Sequence, residues 1–223
     1  MPRVARVDVA NYPYHIINRA IMSLRLFNSK EEYALFEELL FDTAKETGMR
    51  ILAHELMPNH WHLLLYPAHD GDLGLFMHRL TNAHTRQVHA QTGTTGTGPL
   101  YQGRYKSFLI QDDKHFLAVL KYVERNATRT KLAIRAEEWR WGSAWRRVHG
   151  TGAQKRGLTE PPTPIPKNYL EWINTPEPSE ELKTIRQSVN KGSPYGGESW
   201  VKKTSSQFGL NSTLRNPGRP KGI

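Results

Sequence analysis

The hydrophobic pattern of the first 150 residues predicts alternating strands and helices. Tyr14-His-Ile-Ile-Asn18 reads as a short strand. A helix over about 30–47 follows, opened by a capping box in which Ser29 precedes Glu32 by three positions. Tyr33, Phe36, Leu39 or Leu40 and Thr43 or Ala44 recur at helical spacing, and Gly48 supplies the stop. Arg50–Leu56 and Trp61–Tyr66 read as two strands of a hairpin around Met57-Pro58-Asn59. A second helix covers about 72–91, with Leu73, Phe76, Leu80 and Ala83 on one face. The Gly/Thr-rich stretch 92–99 is a loop, Lys106–Gln111 a fourth strand, and Asp112–Thr130 a third helix capped by Asp112 or Asp113.

The order β-α-β-β-α-β with an added helix is the split βαβ pattern. It predicts an α+β, ferredoxin-like fold: one antiparallel sheet with helices on one face and the other face open to a ligand. After Gly150 the pattern lapses. Residues 151–168, with TEPPTPIPK, resemble an extended linker. A helix over about 178–190 and a basic tail from Lys191 complete the chain. The expected division is a domain over 1–150 and a linker with basic extension over 151–223.

Composition narrows the chemistry. Thirty-one Lys and Arg against 21 Asp and Glu give a net charge of +10, which favours a polyanionic partner, most commonly nucleic acid. The absence of cysteine removes thiol catalysis, disulfide scaffolds and Cys-ligated metals together. No apolar run is long enough to span a bilayer and the N-terminus carries charge where a signal peptide is apolar, so a cytoplasmic protein without a membrane partner is expected.

Candidate chemistry centres on Asn59-His60-Trp61-His62-Leu63-Leu64-Leu65. On a strand, His60 and His62 share one face and Trp61, Leu63 and Leu65 the other. Two imidazoles about 7 Å apart along a strand can converge on one ion. A hydrogen-bonded surface pair fits the spacing equally well. With no thiolate available, an incomplete site finished by water and phosphate suits Mg²⁺ or Mn²⁺ better than a closed zinc site. On the third helix, Phe116, Leu120, Val123 and Ala127 form the core stripe, and Tyr122, Asn126 and Arg129 a separate one. Tyr122 and Asn126 are i, i+4 neighbours. Such a tyrosine either overhangs the sheet edge or packs at the core boundary with a wet hydroxyl. Tyr101-Gln-Gly-Arg-Tyr-Lys-Ser107 interleaves rings and cations as a single-stranded nucleic-acid track requires; a solvated loop is the alternative. His54, His78, His84 and His89 read as surface or boundary residues.

These residues together resemble a known family. MPNHWHLLL is similar to the HUH motif of single-tyrosine transposases. LYQGRYKSFLIQDDKHFLAVLKYVERNATRTKL, then Trp139–Ser143, and GGESWV with LRNPGRPKG near the end, resemble the REP-associated tyrosine transposases of bacteria. That group's pattern is close to QGRYKS followed by YIHxNPVRAGLV; this chain has Ala127 where the pattern has proline. The resemblance implies His60, His62 and Asn126 as ligands of Mg²⁺ or Mn²⁺ and Tyr122 as the nucleophile. It implies cleavage and rejoining of single-stranded, hairpin-forming palindromic repeats through a 5′-phosphotyrosine, without a nucleotide cofactor. Arg104, Tyr105, Lys106 and Arg129, with Arg215, Arg219 and Lys221 of the tail, are the candidate DNA contacts, and a monomer is favoured over a dimer. The competing expectation is a non-catalytic single-stranded nucleic-acid-binding module on the same sheet. A nuclease using activated water, or a zinc hydrolase, ranks lower.

Overall fold

A computed structural model describes residues 6–215. Four strands, β1 (Tyr14–Arg19), β2 (Arg50–Met57), β3 (His60–Tyr66) and β4 (Lys106–Leu109), form one antiparallel sheet in the order β2-β3-β1-β4. Helices α1 (Lys30–Thr47) and α2 (Asp72–Thr92) make the two crossovers. This is the ferredoxin-like arrangement expected from the element order.

The first helix starts where the sequence says it should. Ser29 Oγ accepts from the Glu32 amide, and Gly48 closes the helix in the left-handed region at φ 71°. The returning half of the capping box differs, because the Glu32 carboxylate takes the Asn28 amide.

Alternation along β3 decides which face each side chain occupies. Trp61, Leu63 and Leu65 are fully buried with Ile16, Phe36, Leu40, Phe76 and Leu80 between the sheet and α1 and α2. Trp61 also donates its indole N–H to the Tyr101 hydroxyl, 3.1 Å away, and that hydroxyl lies 2.6 Å from His84 Nδ1. Burying an indole of 150–250 Å² contributes about 4–6 kcal/mol as an upper bound. A one-residue slip would forfeit that and turn every β3 side chain over. Trp61 therefore holds His60 and His62 on the opposite face.

That opposite face is not open, contrary to the expectation. The third helix packs across it: Phe116, Leu120 and Val123 of α3 (Lys114–Glu124) meet Leu52, Ala53, Leu64 and Phe108. An amphipathic stripe specifies that a helix buries one side, but not against which face of a sheet. A β-bulge between Ile51 and Ala53 turns both Leu52 and Ala53 toward α3.

The predicted continuous helix 112–130 is also interrupted. Asp113 caps α3, which ends at Arg125, and a short α4 (Asn126–Arg129) follows. In an unbroken helix the carbonyls of Tyr122 and Val123 would accept from the amides of Asn126 and Ala127. Here the Arg129 guanidinium bonds the Tyr122 carbonyl, and the Ala127 amide donates to Glu55 Oε1 at 3.1 Å.

Beyond residue 130 the chain makes α5 (Ser143–His149), α6 (Gly152–Arg156), α7 (Tyr169–Asn174), α8 (Ser179–Lys191) and α9 (Glu198–Gln207). The stretch read as a linker enters the core: Leu158 is buried, and the Thr159 amide donates to the Ile51 carbonyl at 2.8 Å. The stretch read as a basic arm folds back too. Tyr195 bridges Ile110 beside β4, while Trp200, Phe208 and Leu210 pack on the α1/α2 side. No helix among the described residues is long and apolar enough to cross a membrane.

Candidate active site

The face under α3 brings four of the sequence candidates together. His60 and His62 project from β3 with ring centroids 5.1 Å apart at 77°. Tyr122 of α3 meets His62 edge-on at 5.9 Å. Asn126, first residue of α4, has Nδ2 3.5 Å from His60 Nε2. The helix break at Arg125 delivers this contact by re-aiming Asn126 toward the strand.

Nitrogen roles follow from the partners. His60 Nδ1 lies 2.6 Å from Asn59 Oδ1, an acceptor, so the proton resides on Nδ1 and Nε2 is bare toward Asn126. A flip of the Asn126 amide exchanges its nitrogen for its oxygen at that position. Burial, aided by Arg19, pulls His60 down to about 4, and burial holds His62 well below the usual imidazole range, with His15 and His60 adding to it. Both rings are therefore neutral near pH 7, the form that ligates metal. No group of three or more His, Cys, Asp or Glu among the described residues is arranged to hold a metal, so an ion here would rest on two imidazoles and the Asn126 amide oxygen. That neutral, incomplete donor set leaves positions for water and phosphate oxygens, the ligands that Mg²⁺ and Mn²⁺ prefer.

Tyr122 is buried up to its rim, at 8% exposed. The Arg129 guanidinium sits 4.3 Å over its ring. Arg129 is held there by Glu177, 2.6 Å away, and the same carboxylate takes Arg125 at 2.8 Å. Arg129, expected as a DNA contact, is thus enclosed against Tyr122. Arg104 and Lys106 are exposed, and Tyr105 is half-buried beneath the guanidinium of Arg6 at 3.8 Å. These residues, with Arg19 and Gln102, line an open groove of about 600 Å³. Arg19 stands opposite His60 in the β1–β3 ladder, so the groove begins beside the histidine pair. Arg215 is exposed at the end of the described chain, and Arg219 and Lys221 lie outside the described residues.

Two residues of this face escaped the sequence reading. His15 of β1 is fully buried with Nε2 2.7 Å from His62 Nδ1. Glu55 of β2 stands opposite His62, fully buried, and burial pushes its carboxyl well above the usual range. Glu55 supports the break: Ala127, standing where the resembled pattern has proline, brings an amide proton that Glu55 Oε1 accepts. Period-two alternation places His15 on one face of its strand, but only the strand register sets that face against His62. His54 and His84, expected at the surface or boundary, are buried on the α1/α2 side, His54 3.2 Å from Glu37 and His84 on Tyr101.

With fold and site in view, the comparisons with known proteins fix the class. The family described as "Transposase IS200 like" matches residues 8–126, an interval that contains all four converging residues. The chain belongs to this family, and its function is of the transposase type, exerted on DNA. Among solved structures it is similar to one described as a REP-associated tyrosine transposase bound to a REP hairpin, at 16% identity and a TM-score of 0.56, over 71% of this chain and 88% of the other. A second, described as a putative transposase from Deinococcus radiodurans R1, aligns at 20% identity and a TM-score of 0.39, over 59% of this chain and 92% of the other. No curated protein sequence matches.

Proposed function

We propose that this transposase is a metal-dependent endonuclease and strand transferase that cuts single-stranded, hairpin-forming palindromic DNA with Tyr122. The observation that carries the reading is the convergence of Tyr122 and Asn126 on the neutral His60–His62 pair. The likeness to a protein described as bound to a REP hairpin supports the choice of DNA.

His60 and His62, through Nε2, and Asn126, through its amide oxygen, are the residues that would hold Mg²⁺ or Mn²⁺. A bound ion would polarise the scissile phosphate and offset charge on its non-bridging oxygens. Tyr122 attacks phosphorus: a bond forms between its oxygen and the phosphorus, the bond to the 3′ oxygen breaks, and that oxygen leaves as a 3′-hydroxyl. The phenol proton passes to solvent, and the departing 3′ oxygen takes a proton from solvent. The Arg129 guanidinium, 4.3 Å over the ring, holds the phenol in place. One phosphodiester replaces another, so attack by a different 3′-hydroxyl rejoins strands without a nucleotide cofactor. Tyr122 lies against its own chain's His62, which supports a site complete within a monomer.

The groove lined by Arg6, Arg19, Arg104 and Lys106 is the expected track for the strand leading to the site. Tyr122→Phe tests the assignment: hairpin affinity should stay at the wild-type level while cleavage in Mn²⁺ disappears. Equal nicking by the two proteins would remove the tyrosine from the chemistry and favour activated water. Tight binding with no cleavage by either protein would favour a binding module.

A further inference from the structure

His15 occupies a position that the proposed chemistry does not use. Its Nε2 lies 2.7 Å from Nδ1 of His62, and the two rings are tilted by 38° at 5.0 Å. At that distance two neutral imidazoles share one proton, so one ring donates and the other accepts. The choice governs the far side of His62. When His15 donates, the proton of His62 resides on Nε2, which then has no lone pair to offer. When His15 accepts, His62 carries its proton on Nδ1 and presents a bare Nε2.

His15 has little freedom to do anything else. It is fully buried, with Phe108 at 4.9 Å and Tyr122 at 6.1 Å between ring centroids. Its Nδ1 is buried without a hydrogen-bond partner among the described residues. The accepting arrangement leaves an N–H unpaired there, and the donating arrangement leaves only a lone pair.

We propose that His15 is the positioning residue for His62: ligation through His62 Nε2 requires the arrangement in which His15 accepts the Nδ1 proton, and that bond aims the ring at the site. This rests on the reading of His62 as a ligand. Ligating histidines usually donate their second N–H to a carboxylate or carbonyl; here an imidazole takes that place.

The test is Mn²⁺ binding to the full chain, read by electron paramagnetic resonance of the free ion, for wild type, His15→Leu, His15→Gln and His62→Ala. Loss of the outer partner in His15→Leu should weaken binding by about 10–100-fold. His15→Gln, whose amide oxygen can accept the His62 Nδ1 proton, should restore most of the binding lost in His15→Leu. Equal binding by wild type and His15→Leu would overturn the proposal and leave His62 as a ligand. Equal binding by wild type and His62→Ala, or none by wild type, would overturn the ligand reading and this proposal with it. If His15→Leu fails to fold, long-range ¹H–¹⁵N correlations on the wild type decide. With saturating Mg²⁺, His62 should carry its proton on Nδ1; a proton on Nε2 would overturn the proposal.

Discussion

The Glu177 carboxylate ties the segment before α8 to both arginines that flank the helix break, and its removal has a magnitude the structure supplies. Its side chain is 1% exposed, and it accepts from Arg125 Nε at 2.8 Å and Arg129 Nη1 at 2.6 Å, guanidiniums 10% and 13% exposed. Glu177→Gln keeps the size and one acceptor but turns an amide N–H₂ toward one of the two cations. One charge-assisted bond lost, at about 1.5–3 kcal/mol, and a second reduced to a neutral acceptor give roughly 2–5 kcal/mol. Breaking a buried pair elsewhere costs about 3–5 kcal/mol, so the two routes agree. At about 2–4 °C per kcal/mol for a chain of this size, the melting midpoint should fall by roughly 6–20 °C. The assay is a thermal melt by circular dichroism at low and high salt. Because the pair is buried, added salt should recover little of the loss. Surviving Glu177→Gln protein, assayed well below its midpoint, should bind hairpin DNA but cleave slowly, since Arg129 is no longer held over Tyr122. A midpoint within about 2 °C of wild type would refute the reasoning, because exposed ion pairs are worth that little.

Three further outcomes are expected. Burial lowers His15 and His84 to about 3 and His60 to about 4. The unfolded chain then takes up protons below pH 6.5 that the folded chain refuses, so stability is full above that pH and lost as pH falls toward 4. At pH 5 each of the three costs roughly 2 kcal/mol, and urea midpoints should drop between pH 7 and 5, before the carboxylates titrate. Gly142→Ala would set a Cβ 2.1 Å from Glu55 Oε2. It should destabilise by about 1–3 kcal/mol in urea melts, and the loss should shrink when Glu55→Ala is added. Arg104→Ala and Lys106→Ala should each weaken hairpin binding and lower the slope of log K against log salt by roughly one; unchanged slopes would move the DNA off this groove.

Much of the scaffold could be read from local pattern because local forces set it. The Ser29 cap, the Gly48 stop and the alternation that points Trp61 away from His60 and His62 are decided within a few residues. The features that escaped depend on distant partners. His15 reaches His62 across 47 positions, through a register that neither strand encodes alone. The break after α3 depends on Glu55 and Glu177, so helical periodicity runs straight through it. His84 is buried because the Tyr101 hydroxyl satisfies it, a contact invisible in a stretch of exposed-looking helix. Tail residues Trp200 and Phe208 read as a basic arm because their lysine neighbours dominate the composition, although both rings pack on the body.

The central claim is that Tyr122 becomes covalently joined to DNA, and one measurement addresses it directly. The full chain is incubated with single-stranded hairpin oligonucleotides and Mn²⁺ or Mg²⁺, resolved on a denaturing gel, digested and mapped by mass. A metal-dependent adduct on the peptide containing Tyr122, with a free 3′-hydroxyl on the released strand, is the expected result. Metal-dependent cleavage of the same oligonucleotides without any protein-linked DNA would contradict it.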